Sequence, residues 1–367
     1  MRYIHEQDDW PHFTWDESRL ATALADIRNR QGRIVGRMEG LGFKLRADAI
    51  LDTLTVDVIK TSEIEGEILP GDQVRSSVAK RLGMDIAGLV HSDRNVDGVV
   101  DMMIDATQKY QAPLNKERLF SWHSSLFPSG RSGLKKIGVG AWRDEASGPM
   151  QVVSGPMGRE RVHFEPPEAA KLDDDMRTFF RWFENKSLVI DPVIRAAVAH
   201  LWFVTIHPFE DGNGRIARAI ADLALARSDD TAQRFYSMSA QIRVERKLYY
   251  EMLEKTQKGD LDITPWLQWF LACLGRALGL AERTLGGVLA KARFWEQHAD
   301  KALNPRQRKM VNKLLDGFEG KLNSSKWAIM TKCSQDTALR DIDDLIAREM
   351  MVKNGAGGRS TAYQLAL

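Results

Sequence analysis

The residues of this 367-residue chain whose types could do chemistry together crowd into one stretch, Ile206-His207-Pro208-Phe209-Glu210-Asp211-Gly212-Asn213-Gly214-Arg215-Ile216-Ala217-Arg218. His207 can accept a proton near neutral pH. Asp211 offers a hard oxygen ligand, and Mg²⁺ at a phosphate site uses one or two carboxylates. Gly212 and Gly214 flank Asn213 ahead of a helical pattern, Ile216, Ala219, Ile220 and Leu223. Glycines there let successive backbone N–H groups turn inward and, with the helix N-terminus, form an anion-binding nest. Arg215 and Arg218, one turn apart, add fork-shaped donors for phosphate oxygens. Singly, each residue has an ordinary structural explanation: a hydrogen-bonded helix-end histidine, a glycine turn, solvated arginines. The conjunction of base, metal ligand, phosphate cradle and paired arginines describes phosphoryl or nucleotidyl transfer.

The stretch resembles the signature of Fic-domain proteins, His-x-Phe-x-Asp/Glu-Gly-Asn-Gly-Arg-x-x-Arg, at every fixed position. The resemblance implies a protein adenylyltransferase. His207 would deprotonate a Tyr, Ser or Thr hydroxyl that attacks the α-phosphate of ATP, the substrate. Asp211 would hold Mg²⁺ between the α- and β-phosphates, Gly212, Asn213 and Gly214 would form the anion hole, and Arg215 and Arg218 would bind the outer phosphates. Phe209 would anchor the loop in the core. By the same similarity Tyr249 and Gln257 are placed at the adenine. The segment Met150–Phe164 resembles the family's flap, a β-hairpin whose open edge, including Val153 and Ser154, would hold an extended target segment by main-chain bonds. Gly140-Ala141-Trp142-Arg143 resembles the approach to that flap. Upstream, Thr61-Ser62-Glu63-Ile64-Glu65-Gly66-Glu67 resembles the family's inhibitory helix motif, Ser/Thr-x-x-x-Glu-Gly/Asn. In such proteins the glutamate, here Glu65, pairs with the second arginine, here Arg218, and denies the γ-phosphate its place.

The elements that must position these residues read as mainly helical. Ile50, Leu51, Leu54, Val58 and Ile59 recur at helical spacing, as do Val193, Ala196 and Ala197. Asp191-Pro192 is a helix start, and Pro208 disfavours continuing that helix through His207. The exception is Gly130–Pro167, where Gly138, Gly140, Gly148, Gly155 and Gly158 punctuate the chain and Met150–Ser154 and Arg161–Phe164 read as strands around a Gly155–Gly158 turn. Beyond Asn304-Pro305, three helical patterns and a strand-turn-strand pattern follow in the order of a winged helix-turn-helix. The expected fold is a Fic-type helical core with a β-hairpin flap plus that module: residues 1–95 as an N-terminal segment with the inhibitory helix, 96–300 as the catalytic core, 301–367 as the winged helix.

Charge names no partner for the whole chain, since 52 Lys and Arg stand against 50 Asp and Glu. Residues 301–367 are locally basic, twelve against seven, which is compatible with DNA backbone contact through Arg340 and Arg359. Asp336, Asp341, Asp343 and Asp344 on the expected recognition helix argue the other way. Cys273 and Cys333, far apart and without metal spacing, read as two buried thiols in a reducing compartment. The polar start MRYIHEQDDW and the absence of a long apolar run give the expectation of a soluble, cytoplasmic protein without a membrane partner. The target protein, self-modification and homodimerisation are left open by sequence. So are two other readings: removal of AMP or use of another nucleotide at the same site, and a DNA-binding regulator that senses nucleotide.

Overall fold

The computed structural model describes residues 2–40, 42–85, 88–145, 148–155, 159–315, 318, 320–354 and 361–366. They form two compact units, Met1–Ala281 and Glu282–Leu367. The expected segments 1–95 and 96–300 fall within the first unit up to residue 281.

In the first unit, α1 (Glu17–Glu39), α2 (Phe43–Ile64), α3 (Gly71–Arg81), α4 (Arg94–Gln108) and α5 (Lys116–Leu126) precede two small antiparallel ladders. These are β1 (Arg131–Ser132) with β2 (Lys135–Lys136), and β3 (Val152–Ser154) with β4 (Arg161–Phe164). The second is the expected hairpin, paired Val153 with Val162 and Ser154 with Arg161; most of its turn lies outside the described residues. Then come α6 (Leu172–Phe183), α7 (Pro192–Ile206), α8 (Asn213–Asp229), α9 (Met238–Val244), α10 (Arg246–Gln257) and α11 (Thr264–Gln297), whose residues after Ala281 belong to the second unit.

The centre of this unit is the α7–α8 pair. Apart from the half-buried Arg195, α7 is buried from Val193 to Ile206, because its sequence is apolar on every face. Alanines on both helices (Ala196, Ala197 and Ala199 on α7; Ala217, Ala219 and Ala221 on α8) leave room for close packing. The start of α7 is as expected: the Asp191 carboxylate accepts from Val193 N–H at 2.7 Å, with Pro192 in the first turn. Around the pair, Phe179, Phe203, Phe209, Trp266 and Phe270 are each at most 0 % exposed. Burying each such ring stabilises the fold by about 1.5–3 kcal/mol. The aromatics of the opening segment pack rather than face a site: Trp10 and Phe13 meet the Trp202 ring edge-on.

Buried polar contacts tie α2 to the start of α9, and α8 to the loop that follows it. Asp57 of α2 accepts from Ser237, and Asp222 of α8 accepts from Arg234 at 2.7 Å; Asp57, Asp222 and Arg234 are all at most 1 % exposed. An uncompensated charge at that depth is strongly destabilising, so the Asp222–Arg234 ion pair holds the loop after α8 against that helix.

The second unit contains α12 (Pro305–Leu315), α13 (Ser324–Thr331) and α14 (Gln335–Ala347), then β5 (Met351–Lys353) antiparallel to β6 (Tyr363–Leu365). Met310, Val311, Trp327, Ile342, Leu345 and Met351 form its core, with Phe294 from the end of α11. Residues 355–360, including Arg359, lie outside the described residues. Asp341 does not face outward as its sequence position had led one to expect: it is 5 % exposed and held by Arg306 and Asn304. Asp344 binds Gln307 and Arg348. Both cysteines are free thiols; Cys273 is buried, whereas Cys333 is half-buried rather than fully buried. Among the described residues no helix is long and apolar enough to cross a membrane.

Candidate active site

Helix α7 ends where Pro208 requires, but His207 takes the left-handed conformation, φ 52° and ψ 56°, and its N–H still closes on Phe203 O at 3.0 Å. A non-glycine residue there is strained, and such strain persists only where surrounding contacts over-determine it. The ring is half-buried. Its Nδ1 lies 3.2 Å from the Val204 carbonyl, an acceptor, so Nδ1 carries the hydrogen and Nε2 keeps its lone pair. Burial lowers its pKa to about 4, against the opposing pull of that carbonyl. The imidazole is therefore neutral at pH 7, with Nε2 set to accept a proton.

The loop after His207 is closed by the Asn213 side chain. Its Nδ2 donates to Phe209 O at 2.8 Å and its Oδ1 accepts from Phe209 N–H at 3.0 Å. Asn213, expected in the anion hole, thus spends its amide on loop shape, while its main chain opens α8. Phe209 is the expected anchor: it is 0 % exposed and stacks on His123 with centroids 4.2 Å apart. Gly212 has φ 81°, and a Cβ there would come within 2.9 Å of the Phe127 ring, so both conformation and space require glycine. The first N–H groups of α8 have no acceptor within the helix by geometry and remain available to an anion.

Asp211 accepts from Gly212 N–H at 2.6 Å and from the Ser132 hydroxyl of β1. No cluster of three or more His, Cys, Asp or Glu suited to a metal occurs among the described residues. A lone, oriented carboxylate fits Mg²⁺ that takes the rest of its shell from phosphates and water.

Both arginines are engaged by carboxylates from the end of α2. Arg218 Nη2 lies 2.7 Å from Glu65 Oε1 and 2.9 Å from Thr61 O, and its Nε donates to Thr61 Oγ1 at 2.7 Å. Burial opposes the Arg218 charge most, but the Glu65 carboxylate together with Tyr249 and Tyr250 outweighs it, and the Arg218 pKa is raised. Arg215 Nη1 lies 2.8 Å from Glu67 Oε2. The backbone explains this double contact. Gly66 has φ 88°; its N–H bonds to Glu63 O at 3.1 Å, and Glu67 N–H bonds to Ser62 O at 3.0 Å. This is a Schellman turn, and it carries Glu65 and Glu67 to the two arginines. A Cβ on Gly66 would meet nothing within 4 Å, so glycine is there for its conformation. Gly214 is the reverse: a Cβ would lie 2.2 Å from Glu65 Oε1, so glycine is there for space. Two buried donors, Arg215 Nε and Arg218 Nη1, have no protein partner.

Sequence reasoning gave no role to Glu67, Ser132 or Tyr250. Tyr249 and Gln257 offer no open face to a base: they are 1 % and 5 % exposed, and bond to His200 (2.9 Å) and Thr205 (3.3 Å). The reason is helical phase, since this face of α10 packs inward. Tyr250, one residue on, reaches the site instead, its hydroxyl donating to Glu65 Oε2 at 3.2 Å. On the hairpin, Val153 and Ser154 are exposed; Ser154 Oγ is 2.5 Å from His163 Nε2, and His163 Nδ1 is 2.7 Å from Glu254 of α10.

Comparison with known proteins places this geometry. Residues 113–225 match the Fic/DOC family model, and residues 3–84 match a domain of unknown function, DUF4172. The chain is 29 % identical over 211 residues to protein adenylyltransferase fic-1 of Caenorhabditis elegans, covering 57 % of this chain and 38 % of that protein. It is 34 % identical over 116 residues to protein adenylyltransferase Fic of Aedes aegypti, covering 31 % of this chain and 22 % of that one. The chain thus spans well under half the length of these curated relatives. A Fic family protein from Desulfovibrio desulfuricans G20 shares the fold at TM-score 0.52 and 19 % identity, over 94 % of this chain and 95 % of that one. With His207 through Arg218 inside the matched region, the chain carries a Fic/DOC family domain.

Proposed function

We propose that this protein is an adenylyltransferase that moves AMP from ATP onto a Tyr, Ser or Thr hydroxyl of a protein, and that Glu65 holds it off at rest. The observation that carries the reading is the neutral His207, Nδ1 committed and Nε2 free, on the loop that leads into Arg215 and Arg218. The target oxygen attacks the α-phosphorus as its proton passes to His207 Nε2; the bond to the β-phosphate bridge breaks, and pyrophosphate leaves with that electron pair. Arg215, Arg218 and the α8 N-terminus hold the phosphates, the two unpartnered arginine donors being suited to them. Asp211 would hold Mg²⁺, which supplies charge neutralisation on the phosphates. The β3 edge, with Val153 and Ser154, would take the target as an added strand. Glu65, and with it Glu67, occupies the arginines in the manner of phosphate oxygens.

The test is transfer from α-labelled ATP with Mg²⁺ to the chain itself or to a cell lysate, comparing wild type, Glu65→Gly and Glu65→Gly/His207→Ala. Label that rises with the first change and vanishes with the second supports the reading. No label from the Glu65 variant moves it to AMP removal or another nucleotide. The second unit supports a separate reading as a winged helix-turn-helix, in the order α12, α13, α14, β5, β6. With Asp341 turned inward, the acidic objection to DNA on α14 weakens. Salt-dependent retardation of duplex DNA, lost in Arg340→Ala, tests it.

A further inference from the structure

We propose that Arg143 is a positioning residue that holds the base loop in register with the root of the hairpin. The proposal rests on the transfer reading above and names a residue that reading does not use.

Arg143 lies between the two ladders in sequence and is 7 % exposed. Its Nε donates to the carbonyl of His207 at 2.8 Å, and its Nη2 donates to the carbonyl of Pro167, just past the end of β4. Its own N–H donates to Pro208 O at 2.9 Å. A guanidinium buried on backbone carbonyls is costly, because a carbonyl offsets less of the desolvation than a carboxylate. Burial duly lowers its pKa, and the charge of Asp175 only partly opposes this. The contacts fall where they matter. His207 sits in a strained left-handed conformation, and the peptides on either side of Pro208 are both held by Arg143. The rigid fork of the same side chain fixes the segment just past β4, the strand paired with the β3 edge that would take the target. Lysine, a compact ammonium without the planar fork, cannot reproduce this spread pair of contacts.

A general base and its target must meet within a fraction of an ångström, and a misplacement of about 1 Å can cost on the order of a hundredfold. Arg143→Met and Arg143→Lys, each in the Glu65→Gly background, are compared for kcat, KM, ATP affinity and thermal midpoint. The expected result is a kcat loss on the order of ten- to a hundredfold for Met and a smaller one for Lys, with ATP affinity unchanged. In the Glu65→Gly/His207→Ala background the Arg143 change should cost nothing more. An unchanged kcat overturns the proposal. So does a parallel fall of ATP affinity and thermal midpoint with no benefit from Lys, which marks a general staple. A Glu65→Gly parent that transfers no AMP overturns the parent reading instead. Histidine-resolved NMR then decides the Arg143 role: the His207 ring signals must shift in Arg143→Met and stay near the parent's in Arg143→Lys, and no shift overturns it.

Discussion

Glu67 Oε2 stands 2.8 Å from Arg215 Nη1, one turn of α8 away from the Glu65–Arg218 pair. Both carboxylates lie at the C-terminal end of α2 and both guanidiniums in the first turns of α8, the ends at which each charge is least favoured by the helix dipole. Pairing offsets that cost, about 0.3–1 kcal/mol per charge. Glu67 is 39 % exposed, so its pair is the weaker of the two. Glu67→Gln should tighten ATP binding by about two- to fivefold, and Glu65→Gly/Glu67→Gln should exceed Glu65→Gly by a similar factor. Calorimetric titration with ATP and Mg²⁺ measures both; equal affinities with and without Glu67 would confine inhibition to Glu65.

The two glycines facing the inhibitory carboxylate should respond differently. Gly66→Ala introduces only backbone strain at φ 88°, about 1 kcal/mol, and loosens the turn that carries Glu65. A several-fold rise in transfer is expected. Gly214→Ala drives a methyl to 2.2 Å from Glu65 Oε1, expelling the carboxylate and leaving Arg218 buried and unpaired. That variant should lose about 3–5 kcal/mol of stability and gain no activity, because the methyl also fills the phosphate cradle. Denaturant midpoints and labelled-AMP transfer check the pair; activation by Gly214→Ala would contradict the cradle assignment.

Buried histidines predict the acid side of both activity and stability. With the His207 pKa near 4, chiefly from burial, the base stays unprotonated well below the ordinary imidazole range. The acid limb of transfer should fall near that value rather than near about 6.5. Burial also lowers His123 to about 4 and His200 to about 3, at 0 % and 1 % exposure. Below about pH 6.5 the unfolded chain takes up protons that the folded chain refuses, so stability falls with pH until the folded pKa is reached. At about pH 5 each should cost on the order of 1–2 kcal/mol. A thermal midpoint indifferent between about pH 7.5 and pH 5 would contradict this.

Asn213→Ala removes two hydrogen bonds that clamp the loop, at 2.8 and 3.0 Å. The loss should be about 1–3 kcal/mol in stability, with kcat reduced far more than ATP affinity, since the amide faces the loop rather than the phosphates. Equal losses of kcat and ATP affinity would return the side chain to the anion site.

The motif from His207 to Arg218 was legible because loop and helix start are contiguous, so spacing alone dictates which groups converge. The hairpin and the α7 start were legible for the same local reason. Contacts across the chain were not. Glu65 found Arg218 only through family resemblance, while Glu67, two residues on, carries no motif and gains its partner from the Schellman turn. Ser132 on Asp211 and Arg143 on His207 depend on how distant loops fold back. On α10 a single residue of rotation separates the buried Tyr249 from Tyr250, whose hydroxyl reaches Glu65. For Asp341, sequence charge misled because Arg306 neutralises it from another helix.

Since Glu65 belongs to the same chain as Arg218, it meets its arginine at an effective concentration that dilution cannot change. On the proposed reading, ATP would compete with a tethered rival whose supply within one chain is constant. Relief would then come from geometry, through something that shifts the end of α2 or unwinds the turn at Gly66.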